Sequence, residues 1–267
     1  MRKIAIAMAK GGVGKTTTAV NLAHCLALMG KKILLVDCDT QSQVSTFLGI
    51  TPLHGLFEFV TGTDEKGNTI LKRDAIFSAR KNLWVLSGGI KLVALKNRLG
   101  EAPAHARHAI ISKALIPKNK DLDFLIFDCS PGWDILSVNI LMAANEVLCP
   151  VSLQGPSLEG LKTFFRYLVS AQKLNKYLQL KYVLPTMYDK RTNHSGMILK
   201  KLQRLFTRQI CSPIHHNVKL SEAPLNGKSI FEYARYAASA KDYVKLSRRL
   251  IDDGIRQEQS PGFFQRN

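Results

Sequence analysis

Lys10-Gly11-Gly12-Val13-Gly14-Lys15-Thr16-Thr17 follows the short apolar run Ile4-Ala5-Ile6-Ala7-Met8, close to the start of a 267-residue chain. An apolar run reads as a buried strand, and a glycine-rich turn after it leads into a helix at Lys15. Glycines at 11, 12 and 14 let the backbone N–H groups close around phosphate oxygens. Lys15 supplies a point charge for those oxygens, and the Thr16 hydroxyl is placed for Mg²⁺. Residues 10–17 are therefore expected to bind a nucleoside triphosphate. The general pattern G-x-x-x-x-G-K-[ST] wants glycine at position 9, where this chain has Ala9, and a second lysine stands at position 10.

Beyond the loop, Val20, Leu22, Ala23, Leu26 and Ala27 recur at helical spacing, and Gly30 stands where a C-terminal cap belongs, so a helix is expected over 15–29. Ile33-Leu34-Leu35-Val36 is a continuous apolar run, the mark of a strand buried on both faces. Strand, helix and strand within about 35 residues form a right-handed parallel crossover. Further buried strands are read at 122–127, 146–151 and 180–185, with helices near 133–144, 156–176, 193–207 and 239–254. The alternation predicts an α/β fold: a doubly wound, mostly parallel sheet flanked by helices. Residues 51–121 are less regular and are read as helices plus one strand at 83–86. One domain over 1–256 and a flexible tail over 257–267 are expected.

Composition narrows the class. Apolar residues make up 46% of the chain, enough for a large core. The five cysteines (25, 38, 129, 149, 211) form no C-x-x-C pair, and their odd number argues against a disulfide framework. They read as small buried hydrophobes in a reducing compartment. The apolar run before the glycine loop is too short for a secretory signal, and no apolar stretch approaches the roughly 20 residues that span a bilayer. A cytoplasmic protein is expected.

The net charge is +18, and it is lopsided: residues 151–267 carry 20 Lys/Arg against 8 Asp/Glu. From 160 to 219 there are 12 basic residues and one acid, Asp189. Such a stretch favours a polyanion surface, nucleic acid before membrane. Lys190 and Arg191 follow a strand end, Lys200, Lys201 and Arg204 share one face of the next helix, and Lys219 lies further on. No zinc-finger or helix-turn-helix pattern reads base edges, so sequence-independent, salt-sensitive binding of double-stranded DNA is expected.

Ligands in open parallel sheets bind at the carboxyl ends of strands. Asp128 ends the apolar run 122–127, where an aspartate holds the Mg²⁺ shell of a phosphate-loop enzyme. Asp37-Cys38-Asp39-Thr40-Gln41 ends the strand at 33–36.

These strings resemble those of the deviant Walker A ATPases, in particular the ParA/Soj-type partitioning branch. Lys10 resembles the family's signature lysine, and 32–48 its segment of two alternating aspartates, with Thr40 for the usual proline. Asp128-Cys129-Ser130-Pro131 is similar to its switch, with Ser130 for the first proline. Leu184 to Thr192 and Ile214 to Pro224 resemble two strings particular to the partitioning branch. The resemblance implies an ATP- and Mg²⁺-dependent ATPase in which Asp39 orients the attacking water and Asp37 supports the metal site. It implies that Lys10 reaches the partner's nucleotide across a two-fold axis, that Met187 and Pro213 line the adenine pocket, and that the ATP-bound homodimer coats DNA. A centromere-binding, ParB-like partner would stimulate hydrolysis, in a cytoplasmic, nucleoid-associated protein serving chromosome or plasmid segregation.

Three readings compete. A MinD-like membrane switch needs an amphipathic C-terminal helix, for which Tyr243, Leu246 and Leu250 with Lys245, Arg248 and Arg249 are the candidates. A nitrogenase-iron-protein-like reductase would use Cys129 but has no suitably placed second cysteine. A biosynthetic ligase could use the same loop. His215 and His216 lack the further Cys/His spacing of a metal site.

Overall fold

The computed structural model describes residues 1–115, 121–154 and 157–259. In chain order the elements are β1 (Arg2–Ile6), α1 (Lys15–Leu28), β2 (Ile33–Cys38), α2 (Gln43–Leu48), α3 (Leu56–Thr61), β3 (Phe77–Arg80), β4 (Leu83–Leu86), α4 (Leu92–Glu101) and α5 (Ile110–Ala114). The second half adds β5 (Phe124–Cys129), α6 (Ile135–Ala143), β6 (Glu146–Ser152), α7 (Ser157–Leu174), β7 (Gln179–Thr186), α8 (Asn193–Leu205), α9 (Val218–Glu222), α10 (Ile230–Tyr233) and α11 (Ala238–Gln259). The seven strands form one sheet in the order β3-β4-β2-β5-β1-β6-β7. Every neighbouring pair is parallel except β3 with β4.

The apolar runs become central strands because both of their faces are covered. Period-two alternation sends Ile4, Ile6, Ile33, Leu35, Phe124 and Ile126 to one face, under α1 and α11. Ala5, Leu34, Val36, Leu125, Phe127 and Val147 go to the other, with Leu95, Leu136, Ile140, Phe164 and Leu168 from the helices on that side. α1 ends as expected: Gly30 has φ +83, and its N–H and that of Lys31 return to Ala27 and Leu26.

The segment 51–121 departs from the expectation by one strand. β3 pairs antiparallel with β4 and forms the sheet edge. Its sequence, Phe-Ser-Ala-Arg, is only half-buried and irregular in register between Ser78 and Arg80, so no apolar run announces it. Asn82, at φ +61, makes the turn that joins the two strands. At the other end, α11 continues to Gln259, and residues 260–267 of the expected tail lie outside the described residues.

The chain from β1 goes first to β2, on one side of β1, and later to β6 and β7 on the other. The connection thus reverses direction at β1. The strand ends of β1, β5 and β2 converge there, where open α/β sheets bind ligands.

Candidate functional site

The glycine loop sits at that reversal. Gly12 and Gly14 have φ +70 and +86, conformations that a Cβ would strain, and they turn the chain from β1 into α1. Val13 is buried beneath the loop. Its carbonyl accepts a hydrogen bond of 2.9 Å from the hydroxyl of Thr186, at the end of β7. The loop is therefore braced from a strand two places away. The first turn of α1 brings its unpaired N–H groups and positive dipole end to the same place.

Lys15 is only 7% exposed, and its Nζ donates to the Lys10 carbonyl at 3.0 Å. Burial lowers its pKa, and the charge of Asp128 opposes that shift. Lys10 is directed elsewhere. A Cβ built on Gly160, in the first turn of α7, would lie 3.1 Å from the Lys10 Cβ, so the glycine leaves the room through which that side chain runs.

Ile6, Asp128 and Asp37 lie side by side at the ends of β1, β5 and β2, paired Ile6 to Asp128 and Asp128 to Asp37. Asp128 is buried, and neither of its carboxylate oxygens makes a well-formed hydrogen bond among the described residues, although the Thr16 hydroxyl is near enough to favour its charged form. Burial, and then the nearby Asp37, push its pKa well above the ordinary carboxylate range. Two bare, buried carboxylate oxygens facing a threonine hydroxyl at a helix start fit a hard divalent cation that keeps several waters. Among the described residues no group of three or more His, Cys, Asp or Glu could hold a metal ion. His215 is occupied otherwise, with its Nδ1 2.8 Å from Asp242.

Asp37 faces inward from β2, and its two oxygens accept from the backbone N–H groups of Asp39 (3.0 Å) and Val44 (3.1 Å). Burial lifts its pKa to about 7, against those backbone bonds. Asp39 is half-exposed just beyond the strand end, and its Oδ1 accepts from the Gln41 N–H. The Thr16 hydroxyl donates to Oε1 of Gln43, the first residue of α2, at 3.3 Å.

Met187, at the end of β7, has φ +55, and its sulfur accepts from the Ser152 hydroxyl at 3.4 Å. The segment 209–216 runs beside β7, with Ile214 and His216 bonded to Pro185 and Tyr188, so Pro213 lies on the strip adjoining Met187.

The expected DNA residues fall in two groups. Lys200, Lys201 and Arg204 are exposed on α8, opposite its buried Ser195, Ile198 and Leu202, and α8 carries no acid. Lys190 is exposed before it. Arg191 and Lys219 are exposed too but are ion-paired, with Asp189 (2.8 Å) and Glu222 (3.0 Å).

Four contributors had no role expected from the sequence: Gln43 and Thr186, which lie inside the strings 32–48 and 184–192, Gly160, and the turn Ser87-Gly88-Gly89, whose Gly89 N–H donates to the Asp39 carbonyl at 2.9 Å. Thr186 stands at a strand's carboxyl end, which is a usable signal. For the other three the contact crosses between elements and leaves no local trace.

A family profile described as an AAA domain matches residues 1–180. The chain is 34% identical over 255 residues to the sporulation initiation inhibitor protein Soj of Bacillus subtilis, covering 94% of this chain and 98% of that one. It is 36% identical over 250 residues to the chromosome-partitioning ATPase Soj of Treponema pallidum, covering 92% and 96%. Among solved structures it resembles a cobyrinic acid a,c-diamide synthase from Mycobacterium smegmatis with bound ADP and magnesium, with TM-score 0.81, 26% identity and coverage of 98% and 99%.

Proposed function

The chain belongs to the Soj/ParA family of chromosome-partitioning ATPases, and on that premise we propose that it is a DNA-partitioning switch in which ATP makes the dimer and the dimer binds DNA. It is an ATPase that uses ATP and Mg²⁺. Thr16 and Asp128, with Asp37 beside Asp128 supporting the site, are the residues that would hold the cation, which would neutralise charge on the β- and γ-phosphates. Lys15 holds the chain's own phosphates, and Asp39 orients the attacking water. Asp37 fixes the backbone that carries Asp39, and Met187 and Pro213 border the adenine.

The observation that carries the dimer reading is the divergence of the two loop lysines. Lys15 is buried beside Asp128, whereas Lys10 runs over Gly160 toward α7. A cation supplied in trans to a phosphoryl-transfer site is worth about 10³–10⁵ in rate, reason enough for a second lysine outside its own pocket.

The acid-free face of α8 supports non-specific DNA binding by phosphate contacts, and hence association with the nucleoid. A ParB-like partner resets the switch by stimulating hydrolysis. Tyr243, Leu246 and Leu250 of α11 are buried against the sheet, so they offer no apolar face to a membrane. Among the described residues no helix is long and apolar enough to cross one.

The test is sizing and DNA binding of the wild type and Asp39→Ala with ATP or ADP. Dimers of the variant that form and bind random-sequence duplex only with ATP are expected. Equal binding with either nucleotide would remove the switch, and ATP turnover that depends on a small carboxylic acid rather than DNA would point to a synthetase instead.

A further inference from the structure

We propose that the turn Ser87-Gly88-Gly89, at the end of β4, is the positioning element for Asp39. It would hold that carboxylate in line for hydrolysis through packing that only a glycine at 88 permits. This rests on the reading of Asp39 as the residue that orients the attacking water.

Three sets of contacts converge on the turn. First, the backbone at Gly88 lies against both aspartates: a Cβ there would stand 2.4 Å from the Asp39 carbonyl oxygen and 2.9 Å from Oδ1 of Asp37. Neither neighbour is the loose end of a flexible chain, because the first is backbone and the second is tied to the N–H groups of Asp39 and Val44. Second, the Gly89 N–H donates to the Asp39 carbonyl at 2.9 Å, while the Asp39 N–H is held by Asp37. Both backbone polar groups of Asp39 are thereby tied, the N–H from β2 and the carbonyl from the end of β4, with a second, longer bond to that carbonyl from the Ser42 N–H at 3.2 Å. Third, the buried hydroxyl of Ser87 lies 2.8 Å from that of Ser45 and 3.1 Å from that of Ser42. Ser42 has φ +49, a conformation that a non-glycine residue keeps only when its surroundings impose it.

The turn is itself anchored. The Ser87 carbonyl accepts from the Leu56 N–H at 2.8 Å, and Gly55 packs so closely on it that a Cβ would come within 2.2 Å. Asp39 is half-exposed, so its own side chain has little packing to hold it. Apart from the bond that its Oδ1 accepts from the Gln41 N–H, its place is set by its backbone. The route runs from α3 through Ser87 to the 39–42 loop and the start of α2, where Gln43 meets the Thr16 hydroxyl. The less regular region 51–121 therefore builds one wall of the hydrolytic site.

The experiment measures single-turnover ATP hydrolysis and ATP affinity with Mg²⁺ for wild type, Asp39→Ala, Gly88→Ala and Ser87→Ala. A misplacement near 1 Å costs a reacting group about 10²-fold, so Gly88→Ala is expected to hydrolyse about 10²-fold more slowly with ATP affinity within about 3-fold. Hydrolysis by Gly88→Ala within about 3-fold of wild type overturns the proposal, as does a parallel loss of ATP affinity, which would mark a merely structural glycine. Should Gly88→Ala not fold, Ser87→Ala decides, since it adds no atom. A kcat about 3- to 10-fold lower at unchanged KM supports the positioning role, and a wild-type kcat overturns it. Asp39→Ala separates the two claims: wild-type hydrolysis in that variant removes the reading of Asp39 itself, whatever the turn variants do.

Discussion

Asp128 shows how a single side chain carries a functional demand that works against stability. A carboxylate with two bare oxygens in the centre of a sheet is costly to bury, and beside Asp37 it is costlier still. Nothing in folding rewards that arrangement, whereas a cation would. Asp128→Asn keeps the shape and removes the ionisable group. It is expected to abolish Mg²⁺-dependent phosphate release, by about 10²-fold or more, while the nucleotide-free thermal midpoint stays level or rises. Calorimetry without nucleotide and a phosphate-release assay check the two halves, and a lower midpoint would show that Asp128 is stabilising in its own right. Lys15 is the complementary case: burial lowers its pKa, and the neighbouring Asp128 opposes that shift.

At the level of elements, α1 is tied to the start of α10, far along the chain. His24 is buried in α1, its Nδ1 2.6 Å from the Ser229 hydroxyl and 3.8 Å from Glu232, which is clamped in turn by Arg80. Burial lowers the His24 pKa below its ordinary value. A histidine depressed in the folded state binds its proton more readily when unfolded. Its contribution is therefore full above the unfolded pKa of about 6.5 and is lost as pH falls through that value toward the folded one. Stability measured by urea unfolding is expected to fall between pH 7 and 5.5, with a slope of at most about 1.4 kcal/mol per pH unit from this residue. His24→Asn should flatten that slope. An unchanged slope would assign the acid sensitivity elsewhere.

The same region contains a contact between caps. Gly49 after α2 and Gly227 before α10 both have φ +62, and a Cβ on either would come within 2.9 Å of the other's Cα. Alanine at either site is expected to cost more than the roughly 1 kcal/mol of a strained backbone alone, because the two segments must also part. The double variant should cost less than the sum, as one separation serves both. Strict additivity in denaturant titrations would argue that the two backbones do not press on each other.

Over the molecule as a unit, the basic excess of the second half gathers most clearly on the exposed, acid-free face of α8. The α8 face carries Lys200, Lys201 and Arg204 with no acid on the helix, while Arg191 and Lys219 are already neutralised locally. If each α8 cation covers one phosphate, reversing all three should lower the slope of log K against log salt by about 2.7, at 0.9 per contact. Lys219→Glu should change it less, since its partner Glu222 already screens it. Titrations over a range of salt distinguish these outcomes, and equal effects from both would show that the local ion pairs open on binding. The charge excess of residues 151–267 makes α8 legible in the sequence, because a run of cations is a local property. That Arg191 and Lys219 are already ion-paired is not legible there, because pairing depends on which way the side chains turn.

Local sequence determined the phosphate loop, the central strands and the caps. Glycine at positive φ, apolar runs buried on two faces and aspartates at strand ends are properties of neighbouring residues. The edge strand β3 escaped because a half-exposed strand of Phe-Ser-Ala-Arg has neither run nor alternation. Only the tertiary structure decided what stands behind each site residue. Thr186 braces Val13 from β7, Gly160 makes room for Lys10, and the Ser87 turn fixes Asp39. Each pair joins residues 49 to 173 positions apart in the chain. A sequence states which groups are present; which of them meet follows from strand order, and in this chain that order is set by crossovers that place β5 between β1 and β2.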